Sequence, residues 1–143
     1  MNINKYGFKG NAPDSIQVIQ LVTFLYVGVA KLNDGRLSNN ELHKMVQKHE
    51  NYGVKNKDST KFIDEAVSWW NDSLKKDVHL DDLFHCAKLL KHQEGWNDKL
   101  KDNLHMDLTV ISTADGLLNL KNDKFVGERQ LKIVDRIMEL FKD

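Results

Sequence analysis

The sequence predicts an all-α domain, a compact bundle of about six to seven helices, on three observations. Apolar residues recur at three- and four-residue spacing in one segment after another, which places them on one helix face each time. The chain has a single proline, Pro13, so every later segment is free of the strongest helix breaker. The pattern helix, Asp-Gly turn, helix is written twice, around Asn33-Asp34-Gly35 and Ala114-Asp115-Gly116, so the bundle is expected as two similar halves.

Taken in order, residues 1–13 carry Gly7, Gly10 and Pro13 without periodicity and read as an extended or flexible lead, leaving 14–143 as one helical domain. Asp14 or Ser15 is placed to cap helix one, which runs to about Leu32 and is apolar nearly all round from Leu21 to Ala30. That run is too short for a transmembrane span of roughly 20 apolar residues, because Gln17, Gln20 and Lys31 bracket it, so it reads as a buried central helix. Ser38-Asn39-Asn40-Glu41 is a capping box that starts helix two, with Leu42, Met45 and Val46 inward. Helix three spans about Ser59 to Lys75, and Phe62, Ile63, Ala66, Val67, Trp70 and Leu74 form its stripe. Helix four spans about Leu80 to His92, with Leu80, Leu83, Phe84, Ala87 and Leu90 inward and Gln93-Glu94-Gly95 as the break. Helix five, about Trp96 to Thr113, ends at the second Asp-Gly, and a polar loop through Lys121 to Lys124 leads to helix six, about Val126 to Lys142.

Composition narrows the functions. With 143 residues and 41% hydrophobic content the chain can bury the core of one ordinary domain. Twenty-one basic residues balance twenty-one acidic ones, so no net field recruits nucleic acid or anionic lipid. The lysines at 55, 57, 61, 75 and 76 are interleaved with Asp58, Asp64, Asp72 and Asp77, which is a solvated face. One cysteine, Cys86, forms no internal disulfide, and the chain is read as cytoplasmic. No glycine-rich phosphate loop or activated nucleophile is present, so no enzyme is expected.

Asp-Gly followed by a hydrophobe and then Glu invites an EF-hand, and counting rejects it. With Gly35 at the sixth loop position Glu41 falls on the twelfth, but the first and third positions are Ala30 and Leu32, which offer no side-chain oxygen. In the second copy these become Ile111 and Thr113, with Asn122 at the twelfth. His85, Cys86 and His92 share one helix but do not converge for zinc, since the histidines are two turns apart. Trp69 and Trp70 are adjacent, so Trp70 enters the core and Trp69 stays partly exposed.

A helix ending in Asp-Gly, then a capped helix with an early Glu, twice in a compact helical chain, resembles the tellurite-resistance TerB domain family from about Ile16 to Phe141. The resemblance implies a bundle of roughly seven helices in two halves, with acids of both copies meeting at the surface around a divalent cation. Carried over residue by residue, those acids are Asp34, Glu41, Asp115 and Glu128, with Asp123 as the rival of Glu128 because Leu118 to Phe125 looks inserted. Calcium or magnesium fits such oxygen ligands. The resemblance further implies a stress-response role through a protein partner, membrane-associated or soluble, with no insertion of this chain into the membrane. The same residues also read as plain helix punctuation, Glu41 as a cap and Gly35 and Gly116 as left-handed helix ends. The alternative function is then a metal-free scaffold for protein–protein interaction.

Overall fold

A computed structural model of the protein describes residues 16–32, 35–93, 96–114 and 128–142. Among them lie six α-helices and no strand: α1 (Ile16–Lys31), α2 (Asn39–His49), α3 (Asn56–Lys75), α4 (His79–Lys91), α5 (Asp98–Ser112) and α6 (Glu128–Glu139), with a 3-10 turn (Glu50–Tyr52) after α2. The all-α bundle is as the apolar periodicity predicts. The lead at 1–13, the capping residues Asp14 and Ser15, and the loop from Asp115 through Lys124 lie outside the described residues, and with them the comparison of the two halves.

Helix α1 is the axle of the bundle. From Leu21 to Ala30 every side chain is buried, and each of the other five helices packs on it. A helix apolar on all sides has no solvent face to present, so it must be enclosed. Among the described residues no helix is long and apolar enough to cross a membrane. Gly28 sets the closeness of approach: a Cβ there would stand 2.6 Å from Leu83 Cδ1 and 2.8 Å from Trp70 Cζ3. The Trp70 ring fills that space and lies 5.8 Å from the Phe24 ring. Hydrogen bonds from Gln20 to Glu65 (2.9 Å) and from Lys31 to Asn71 (3.0 Å) tie the rim of α1 to α3.

Three boundaries and one core position depart from the sequence reading. Helix α3 starts at Asn56, three residues ahead of Ser59, because its first turn is polar and leaves no apolar signature. Helix α5 starts at Asp98, after Trp96, because the Asn97 side chain accepts the Leu100 N–H at 2.9 Å and so fixes the start. Helix α6 ends at Glu139, and its last residues tighten into turns. Leu74, expected inside with Trp70, is 47% exposed. Ser73 takes the inward position instead, because its hydroxyl donates to the buried carboxylate of Asp82 on α4. The buried stripe of α3 is therefore Ser59, Ile63, Ala66, Trp70 and Ser73, apolar in the middle and polar at both ends.

Candidate functional site

The first Asp-Gly turn is built as a helix end followed by a helix start. Gly35 has φ +76°, a left-handed conformation that favours glycine, and its N–H donates to the Lys31 carbonyl at 2.9 Å. Three residues on, Ser38 caps α2: its hydroxyl accepts the Glu41 N–H at 3.0 Å, while the Glu41 carboxylate accepts the Ser38 N–H at 2.9 Å. The predicted capping box is thus present in full. Glu41 is only 5% exposed, with its carboxylate folded back on its own helix end. Asp34, Asp115 and Asp123 lie outside the described residues. Glu128 opens α6, and nothing is described of its side chain. Among the described residues no three acidic, histidine or cysteine side chains form a group that could hold a metal.

Cys86 is buried, and its thiol donates to the Leu21 carbonyl at 3.2 Å. Burial, reinforced by the nearby Asp82, pushes this thiol well up, away from a thiolate. His92 is exposed and His85 half-buried, so the three side chains hold different environments. Trp70 is in the core at 2% exposure and Trp69 packs half-buried on its edge.

The polar chemistry of this fold lies elsewhere, in a cluster buried between α1, α2, α3 and α5. His49 ends α2 with no solvent exposure, its Nε2 2.7 Å from Thr23 Oγ1 and its Nδ1 2.5 Å from Ser59 Oγ. The directions of these bonds fix the tautomer. The Thr23 hydroxyl donates to the Ile19 carbonyl at 2.6 Å, so its oxygen accepts from His49 Nε2–H, and Nδ1 is left to accept from the Ser59 hydroxyl. Burial lowers the His49 pKa to about 4, so the ring is neutral. Beside it, at 5.8 Å between rings, Tyr26 donates to Asp107 Oδ2 at 2.5 Å. Asp107 is 2% exposed, and burial raises its pKa to about 6 against the opposing pull of the Tyr26 hydrogen bond and of Lys48, whose ammonium stands 3.8 Å away. Burial also pushes the Tyr26 and Tyr52 hydroxyls up. No family model matches the chain, nor does any curated protein or solved structure. The TerB resemblance therefore stands on the quoted residues alone.

A histidine between two hydroxyls has the parts of a nucleophile and its base, but Thr23, His49 and Ser59 are all at 0% exposure, so Ser59 meets no substrate in this conformation. The cluster joins four helices instead. Sequence reasoning missed it, although the signal was present: Thr23 interrupts the apolar run of α1, and Asp107 sits three residues from Leu104 on the inward stripe of α5. A polar residue at an inward position implies a buried partner.

Proposed function

We propose that the chain is a non-enzymatic, metal-free helical module that acts in the cytoplasm by binding a protein partner. Glu41 is the observation that carries this reading over the cation-binding one. It is the acid of the four whose side chain is described, and its burial and its bond to the Ser38 N–H account for it as a cap. The turn glycine and the serine are likewise accounted for by ending one helix and starting the next. A buried polar cluster that joins four helices suits a rigid scaffold, because its directional bonds favour one packing over others.

Calorimetric titration with calcium, magnesium and manganese tests the reading. No heat and no change in melting temperature are expected at millimolar ion. A ligand that binds the folded state raises stability as RT ln(1 + [L]/Kd), so a sub-millimolar site would be plain in the melt. Heat that disappears in the Asp34→Asn, Asp115→Asn double variant overturns the metal-free reading. It would return the TerB-type alternative, a stress-response module with calcium or magnesium at Asp34, Glu41, Asp115 and Glu128.

A further inference from the structure

Between α4 and α6 lies a cleft of ≈ 500 Å³, walled by Asp81, Phe84, His85 and Lys88 of α4, Arg136 of α6 and Leu140 just beyond it. Both signs of charge line it. Asp81 sits in the first turn of α4, while His85 and Lys88 follow one and two turns on, and Arg136 comes from the facing helix. Asp82 borders the same cleft but is buried, its carboxylate accepting from Ser73. The Arg136 guanidinium carbon lies 4.5 Å from the centroid of the Phe84 ring. A guanidinium held over an aromatic ring keeps N–H groups to donate to a carboxylate.

Among the described residues Asp81, Lys88 and Arg136 form no ion pair with one another, although both signs line one cavity. A bare anion entering there meets Asp81 and Asp82 as repulsion, and a bare cation meets Lys88 and Arg136. A ligand carrying both signs can set each of its charges against the opposite one. Phe84 and Leu140, both half-buried, add an apolar wall. We propose that the α4/α6 cleft binds a small zwitterion, an α-amino acid with an apolar side chain. Its carboxylate is held by Arg136 and Lys88, its ammonium by Asp81, and its side chain lies against Phe84 and Leu140.

Titration calorimetry together with amide chemical shifts tests this with L-leucine and L-phenylalanine, and with isovalerate and isoamylamine as probes lacking one charge each. At least one amino acid is expected to bind and to move the amides of residues 81, 85, 88 and 136. Arg136→Gln and Asp81→Asn, both at exposed positions, each remove one charge-assisted contact and should weaken that binding roughly tenfold or more while the protein stays folded by thermal melt, Arg136→Gln giving up the Phe84 contact as well. The proposal is overturned by the absence of binding for both amino acids, or by shifts confined to other helices. It is equally overturned if a singly charged probe binds as tightly as its amino acid, or if neither variant changes affinity.

Discussion

Replacing Asp107 by asparagine should make the fold more acid-sensitive, because Asp107 and His49 offset each other. In the folded protein His49 titrates at about 4, against 6.5 for a free histidine. As pH falls from 6.5 to 4 the unfolded chain takes up a proton that the buried ring refuses, so acidification costs stability through His49. Asp107 works in the other direction. Its folded pKa of about 6 lies above its ordinary 3.8, so between those values the folded state takes up a proton that the unfolded state refuses, and acidification adds stability. At about 1.4 kcal/mol per tenfold change in proton affinity, each group contributes on the order of 3 kcal/mol across its window. Between about pH 4 and 6 folded and unfolded states hold the same number of protons at these two sites, and the slopes cancel. Urea melts across that range should therefore show His49 and Asp107 adding little net slope in the native sequence. Relative to it, Asp107→Asn should lose on the order of 3 kcal/mol toward pH 4, and His49→Gln, whatever its absolute stability, should gain with acid by a similar amount. An Asp107→Asn profile parallel to the native one within about 0.5 kcal/mol would refute the compensation.

Three further substitutions probe the packing and the caps. Gly28→Ala forces a methyl group against Leu83 and Trp70 and should cost about 1–3 kcal/mol in denaturant melts, with a change in Trp70 near-UV dichroism. Ser38→Ala removes the acceptor for the Glu41 N–H and should cost roughly 1 kcal/mol, equally with EDTA and with calcium. Leu74→Gln should lie within about 0.5 kcal/mol of the native protein by thermal melt, since the side chain is 47% exposed; a core-sized loss would place Leu74 inside after all.

The fold was legible because an enclosed helix and its neighbours announce themselves by apolar spacing, and the capping box because it is a four-residue local motif. Ser38 and Glu41 need nothing from the rest of the chain to find each other. Leu74 was misplaced for the opposite reason: whether Leu74 or Ser73 turns inward depends on Asp82, nine residues on and on another helix, which offers the serine a carboxylate. The polar cluster is the extreme case, since Thr23, His49, Ser59 and Asp107 come from four helices and share no local pattern. Periodicity identifies which face of a helix turns inward. It does not say which polar residues from distant segments will meet there.

The enclosure of α1 has a kinetic consequence. Of the six helices it is synthesised first, yet its walls arrive late: the partner of Leu21 is 65 residues away in Cys86, and that of Tyr26 is 81 residues away in Asp107. Closing such long loops must precede the burial that rewards it, so this bundle should fold more slowly than helical proteins dominated by local contacts. Until α6 emerges, this most apolar of the described helices has no complete cover, and it is the segment a chaperone would hold.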